Sequence, residues 1–410
     1  MHVVVLGAGI VGLSAAWRLA RDGHAVTVID RAVAVGQEAS HANGGQLSYS
    51  YVAPLASPSV FGDLPRWLLR GDSPIRFRPG LDGRQWRWLL SFLIACNQDR
   101  MRLSTRRLLE LAYLSRRELH ALVAEEAPDF DYARTGKLVL YGTAGGLAKA
   151  RAQMEFQRAF GSVQTVLDRA GCLAVEPALE AFPHPITGAI HTADEEVGDC
   201  FKLCGELERL LRSKGARLLL GTAVRRLLPT GSRISAAETQ RGAVEGDAFV
   251  LACGIASRAL ARPLGLNLPL YPIRGYSATL PVLPGARAPV VSITDHDRRI
   301  VHARLGDSIR SAGMADLVGW GKQPDPARAA LLVRETRAAF PGSLGLPGRE
   351  VWVGQRPATP TGLPLLGPTR FDNLFLDTGH GALGFTLALG SARVIADLVA
   401  GRPPVIRAIG

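Results

Sequence analysis

The first thirty residues constrain the fold more than any other stretch. VVVLGAGIVGLSAAWRLARDGHAVTVID opens with an apolar run from Val3 to Leu6, turns through glycines, and continues with apolar residues at helical spacing from Ile10 to about Asp22. Gly23 then stops the helix, and a second apolar run ends on Asp30. That order reads as strand, tight turn, helix, strand. Gly7 makes the turn, Gly9 lets a pyrophosphate approach the backbone, and Gly12 lets helix and strand pack closely. Ala8, Ile10 and Val11 complete the turn, so an anion would rest on the unpaired amides at the helix start. Asp30, followed by Arg31, stands where an acid accepts hydrogen bonds from a ribose. A dinucleotide-binding unit is therefore expected at the N-terminus.

At 410 residues the chain exceeds what one core usually serves, and two intimately packed domains are expected. With 47% hydrophobic and 20% charged residues, the composition excludes a disordered chain. The net charge of +12 rests on arginine, since Lys137, Lys149, Lys202, Lys214 and Lys322 are the only lysines. Either arginines are spread over the surface, or they attract an anionic partner such as acidic lipid. No basic tail or nucleic-acid motif accompanies the charge, so no nucleic acid is expected. The five cysteines, Cys96, Cys172, Cys200, Cys204 and Cys253, lack metal-ligand spacing and read as buried thiols of a reducing cytoplasm. No metal is expected. The N-terminal apolar run lacks a basic leader and reads as part of the fold. The later apolar run Trp88 to Cys96 is far shorter than the roughly 20 residues of a spanning helix.

The glycine fingerprint serves FAD and NAD alike. The next segment separates them, because EASHANGGQLSYSYVAPLASP is polar and glycine-rich where a nicotinamide enzyme continues with alternating strands and helices. Ser40, Asn43, Gly44, Gly45 and Gln46 suit close backbone approach to an extended cofactor.

Residues 61 to 125 are helix-rich and mix Trp67, Leu68, Leu69, Trp86, Trp88, Leu89, Leu90 and Phe92 with Arg66, Arg70, Arg76, Arg78, Arg84 and Arg87. Such a segment either docks on an anionic membrane face or covers a substrate domain. KLVLY at 137 to 141 reads as a strand and Leu147 to Phe160 as a helix. From Gly188 the pattern is strand to His191, helix CFKLCGELERLLRSKG, strand ARLLL, then a turn at Thr222, Ala223 and Val224 that offers backbone groups to an adenine edge. DAFVLACG at 247 to 254 adds another strand of the nucleotide unit. Residues 265 to 320 alternate apolar and polar positions between proline-rich turns, the pattern of an antiparallel sheet walling a ligand pocket, and Pro326 to Phe340 reads as a helix. The expected architecture is α/β: a discontinuous Rossmann-like domain from 1–60, 188–260 and 350–410, and an α+β substrate domain from 61–187 and 261–349.

Near the C-terminus a strand (Leu374 to Leu376) enters a second glycine-rich turn, HGALG, followed by a helix from about Leu387 to Val399. With this turn in view, the chain resembles the FAD-dependent D-amino-acid dehydrogenases, within the group that includes D-amino-acid oxidase, glycine oxidase and sarcosine oxidase. The resemblance rests on GAGIVGLSAAWRLARDGHAVTVIDR, ANGGQLSYSYVAPLASP, ARLGDSIRSAGMADLVG, RPATPTGLPLLG and TGHGALGFTLALGSARVIADLVAGRPP taken together.

The resemblance implies FAD as cofactor, with Gly379, His380, Gly381, Gly384, Phe385 and Thr386 at the pyrimidine side of the flavin. A helix N-terminus there, worth about half a positive charge, stabilises the negative charge of the reduced ring. Arg356 matches the arginine that pairs with the substrate carboxylate, a guanidinium fork suiting a carboxylate bidentately. Tyr276 is a candidate hydroxyl for the same carboxylate, and Arg304 a candidate wall or ion-pair residue on the substrate sheet. His41 departs from the phenylalanine or alanine usual in this loop and opens the alternative of a flavin tethered to histidine.

The implied reaction is oxidation of a D-amino acid by hydride transfer to flavin N5, followed by hydrolysis to a 2-oxo acid and ammonia. Positioning and electrostatics carry such a step without a dedicated base. Glycine, sarcosine or a D-hydroxyproline is the nearest alternative substrate. A nicotinamide-only dehydrogenase and a flavin-bound assembly subunit are alternatives of other classes. Oxygen and a respiratory quinone are both open as acceptor; the resemblance favours the quinone, and the arginine-tryptophan segment before residue 90 would suit a cytoplasmic protein docking on the inner face of the membrane.

Overall fold

The strand His2–Leu6 lies at the centre of a six-stranded sheet, between Ala25–Ile29 and Ala248–Leu251. Arg217–Leu219 extends one side in parallel, and Leu374–Thr378 extends the other, with Leu365–Pro368 added antiparallel at the edge. The computed structural model describes residues 1–62, 73–321, 323–346, 348 and 351–409. Five parallel strands are near-continuously apolar because helices bury the sheet.

On one face, the helices Ile10–Arg21, Cys200–Ser213 and Gly384–Val399 pack with Gln98–Glu126 over a core that includes Leu13, Trp17, Leu111, Leu207 and Val394. The last helix begins at Gly384, three residues before the expected Leu387, so Gly384, Phe385 and Thr386 form its first turn. By length and composition alone Gly381–Val399 passes for a membrane span, a longer apolar segment than the Trp88–Cys96 run, yet 72% of it is buried inside the fold. It is a core helix, apolar on all sides because neighbours surround it.

The second large sheet has nine strands. Trp352–Ala358, Tyr271–Pro281, Ser308–Leu317, Ile300–Leu305 and Ser292–Asp295 follow one another antiparallel, as the alternation over 265–320 led one to expect. Lys137–Tyr141 then pairs parallel with Ser292–Asp295. Two strands grouped on the sequence with the nucleotide unit sit here instead. Gly188–Thr192 pairs with Lys137–Tyr141 and Thr165–Leu167, and Trp352–Ala358 pairs with Tyr271–Pro281. Periodicity identifies a strand but not the sheet that receives it.

The helix Gly83–Ala95 covers the rim of this sheet, burying Trp88, Phe92 and Ala95. Trp88 stacks on Phe92 and donates its indole N–H to the Ala358 carbonyl at 2.9 Å, so it is core rather than a docking residue. Arg76 is likewise internal, bonded to Asp316 and Asp325. Arg66, Trp67, Leu68, Leu69 and Arg70 lie outside the described residues.

Candidate active site

The N-terminal turn is fixed by backbone approach. A side-chain carbon on Gly12 would lie 2.0 Å from the Gly7 carbonyl oxygen, and Gly7 itself holds φ at +111°. Gly12 therefore brings the helix Ile10–Arg21 onto the turn but does not line the cavity. The helix starts at Gly9 without a side-chain cap. The Ile10 amide is met by the Ser40 hydroxyl at 3.0 Å, and Asp30 accepts from the Ala8 and Ala32 amides at 2.7 and 2.8 Å. These bonds hold the strand end, the turn and the Ser40 loop as one rigid lip.

From this lip a cavity of about 1510 Å³ runs between the two sheets. At one end it is lined by Gly7, Ala8, Gly9, Ile10, Val11, Asp30, Arg31 and Val224, and along its length by Ser40, Asn43, Gly44, Gly45 and Gln46. At the other end stand Gly379, His380, Gly381, Gly384, Phe385 and Thr386. The volume exceeds the roughly 300–1,000 Å³ of a pocket for one drug-sized ligand. Two uncapped helix starts thus face one continuous space.

The second end has its own chemistry. Asp377 is fully buried, lines the cavity, and neither carboxyl oxygen has a hydrogen-bond partner among the described residues. Burial pushes its carboxyl well above the usual range, so it is a neutral acid and a potential donor. Burial pulls His380 down to about 3, and its Nε2 meets the Ser391 hydroxyl at 2.9 Å and Asp377 Oδ1 at 3.5 Å. One ring nitrogen faces both partners, which is not the geometry of a hydrolytic triad. An orphaned donor and an open helix start fit the polar oxygens of a cofactor ring.

The cavity floor comes from the large sheet. Ile273, Gly275 and Ser277 alternate toward it along one strand, and Arg356 reaches over from the neighbouring strand. A side-chain carbon on Gly275 would lie 2.4 Å from Arg356 Nη2, so the glycine makes room for the guanidinium. Arg356 Nη1 donates to the Met314 carbonyl at 2.7 Å, and no carboxylate pairs with it among the described residues. Asp316 acts on it electrostatically but is already engaged by Arg76 at 2.5 Å and Arg328 at 2.6 Å. An inward guanidinium with donors to spare has the shape and charge to receive a carboxylate.

Of the two other expected residues, Tyr276 borders the cavity and Arg304 does not. Tyr276 is 1% exposed and packs in the core beneath the sheet, its hydroxyl 3.4 Å from Asp316 Oδ2. Tyr276 nevertheless borders the cavity beside Gly275, with its hydroxyl directed to Asp316 on the far side of the strand. Arg304 does not line the cavity; its Nε donates to the Gly306 carbonyl of its own turn at 2.8 Å. His41 is also absent from the lining, with its ring packed 4.5 Å from both Phe201 and Trp352. Sequence reasoning passed over Lys137, Glu195 and Asp377. Asp377 directly precedes the quoted TGHGALG stretch, whereas Lys137 at the head of an apolar strand carried no motif.

The family model described as FAD dependent oxidoreductase matches residues 2–398. A protein of Ralstonia nicotianae named D-amino acid dehydrogenase 2 is 48% identical over 419 residues, covering 100% of this chain and 98% of its own. One of the same name from Pseudomonas aeruginosa is 48% identical over 411 residues, covering 100% and 97%. Among solved structures, glycine oxidase from Geobacillus kaustophilus superposes with a TM-score of 0.77 at 19% identity, covering 99% of this chain and 96% of that one. L-amino acid deaminase from Proteus vulgaris gives 0.76 at 17%, covering 99% and 95%, so both share the fold.

Proposed function

The chain belongs to the FAD-dependent oxidoreductase family, and from that premise we propose that it oxidises D-amino acids to 2-oxo acids and ammonia. The observation that carries this reading is Arg356, an inward guanidinium without a carboxylate partner among the described residues, on the floor of a cavity that joins two helix starts. Full-length relatives at 48% identity named D-amino acid dehydrogenase support the substrate class.

The residues divide the work by position. Gly7, Gly9 and the amides at the start of Ile10–Arg21 would hold the pyrophosphate of FAD, and Asp30 its ribose. Gly379 to Gly381 and Gly384 to Thr386 would face the ring, where the 16-residue helix dipole favours added negative charge. When bound, FAD supplies the two-electron acceptor that takes a hydride from the amino acid Cα. Arg356 anchors the carboxylate and so restricts how Cα can approach the ring; the walls that receive the side chain and amine then decide which enantiomer presents its Cα hydrogen. The enclosing sheets exclude bulk water and strengthen both electrostatic contacts. Hydrolysis of the imino acid requires only water.

For the acceptor we propose a respiratory quinone reached at the inner membrane face. Trp86, Leu90 and Ile94 support this: they recur every four residues along Gly83–Ala95 and are 46%, 61% and 54% exposed, with Arg84 and Arg87 exposed beside them. Sedimentation with anionic vesicles that weakens with salt is expected, and indifference to both lipid and salt removes the membrane reading.

The reaction is tested by anaerobic mixing of the yellow holoenzyme with D-amino acids, L-amino acids and N-methylglycine. Bleaching by D-amino acids, with 2-oxo acid and ammonia formed, is expected. Bleaching by N-methylglycine or glycine alone would shift the assignment within the fold, and bleaching by none would overturn it.

A further inference from the structure

One charged group of the cavity wall has no part in the scheme above. Lys137, at the head of Lys137–Tyr141, is 1% exposed and lines the cavity. Its Nζ donates to Gln46 Oε1 and to Ser48 Oγ, both at 2.7 Å, and lies 4.6 Å from the Tyr51 ring centre. Those same two loop residues touch the second helix start. The Ser48 amide donates to Thr386 Oγ1 at 3.3 Å, and the Thr386 hydroxyl donates to the Gln46 carbonyl at 3.4 Å. Lys137 is thus one side chain removed from the helix N-terminus that faces the reactive end of the cavity.

Glu195 stands behind it, 2% exposed. One carboxyl oxygen accepts from the Ser50 amide at 2.7 Å, the nearby Ser48 hydroxyl favours its charged form, and Oε2 has no hydrogen-bond partner among the described residues. The Ser48 hydroxyl therefore stands between the two, accepting from the Lys137 ammonium and acting electrostatically on Glu195. An ordinary buried ion pair would leave no oxygen unused, because each unpartnered site costs desolvation.

We propose that Lys137 and Glu195, joined through Ser48, form a buried proton-binding pair that takes up one proton when negative charge builds at this end of the cavity and gives it back when that charge leaves. This rests on the reading of the protein as a flavin oxidoreductase. The balance is simple. An amino acid that becomes an imino acid breaks one N–H and one Cα–H bond, losing two electrons and two protons. Hydride transfer carries away both electrons and one proton with them. The remaining proton, from the ammonium, matches in number the one the pair binds, passed by way of solvent or hydrogen bonds and not by direct contact.

The pair is suited to bind it near neutral pH. Burial lowers Lys137 against the pull of Glu195 and raises Glu195 against the pull of Lys137, so both are moved toward neutral pH from their ordinary ranges. Other ionisable groups on the packed elements are Tyr51, Asp194, Glu196, His191, Asp295 and Arg299. Of these Asp194 acts on Glu195, in the same direction as burial. Glu196 is engaged by Tyr49 and His120, and Asp295 by Arg298.

The test is a potentiometric titration of the holoenzyme with dithionite and mediators at several pH values between about 6 and 9, which needs no amino acid. The midpoint potential of the unaltered protein should fall more steeply with pH than that of Lys137→Met, by one proton per two electrons or about 30 mV per pH unit. Glu195→Gln should lose the same increment, and decides the matter if Lys137→Met does not retain flavin. Equal slopes in the unaltered protein and in Glu195→Gln overturn the pair. Because bleaching by amino acids is measured separately, failure of the substrate assignment would leave this result standing, and the reverse.

Discussion

The two glycine-rich turns differ in what their glycines touch. At the first, a side-chain carbon on Gly12 would meet the Gly7 carbonyl oxygen at 2.0 Å. At the second, one on Gly381 would find no atom within 4 Å, and one on Gly384 only the His380 Cβ at 3.7 Å. The acids differ too: Asp30 accepts two backbone amides, whereas Asp377 is buried with no hydrogen-bond partner among the described residues. The first turn is complete within the protein. The second leaves space and an unused donor beyond Gly379, whose φ of +82° and close Thr359 side chain require glycine, and Gly384 makes sense through what fills the cavity.

The comparison breaks most visibly at the residue that serves neither turn. Arg356→Leu should raise the Michaelis constant for a D-amino acid by roughly 30-fold or more, from loss of about 2–5 kcal/mol of charge-paired binding, while flavin stays bound. An unchanged constant would remove Arg356 from the substrate site. Next in size, Gly12→Ala should cost about 1–3 kcal/mol of stability even in flavin-depleted protein, through overpacking. Gly384→Ala should stay within about 1 kcal/mol of the parent in that form and lose only FAD affinity. Thermal unfolding with and without FAD separates the two, and equal behaviour of both variants would dissolve the distinction drawn here.

A smaller effect concerns Asp377. Its folded-state pKa is raised by burial, so the stability it contributes is complete below the ordinary carboxylate range and is lost as pH rises toward the raised value. Asp377→Asn keeps a donor without a titrating proton. It should raise the unfolding midpoint by about 2 °C at pH 8 and by less at pH 5. The smallest expected effect is none: with His41 packed on Phe201 and Trp352, acid precipitation should release all flavin, and His41→Phe should not alter that.

The first turn was legible in sequence because packing dictated its spacing, and the strand and helix around it followed the same logic. Arg356 was legible only through resemblance, since an arginine before a proline has no pattern of its own. Tyr276 borders the cavity, but its hydroxyl turns to Asp316 while Gly275 leaves room for Arg356, and alternation along the strand decides that only once the buried face is known. Arg304 was misplaced because its strand ends in a turn that captures it. Lys137 and Glu195 lie 58 residues apart and meet only because the loop through Ser48 passes between them. Local sequence holds no trace of such a meeting.

The central claim is that both turns bound the site of one cofactor. Calorimetric titration of flavin-depleted protein with FAD tests it most directly, with ADP and riboflavin as competitors for the two ends. One FAD per chain, weakened by either competitor, is the predicted result; two FAD per chain, or a competitor-insensitive site at either turn, would contradict it.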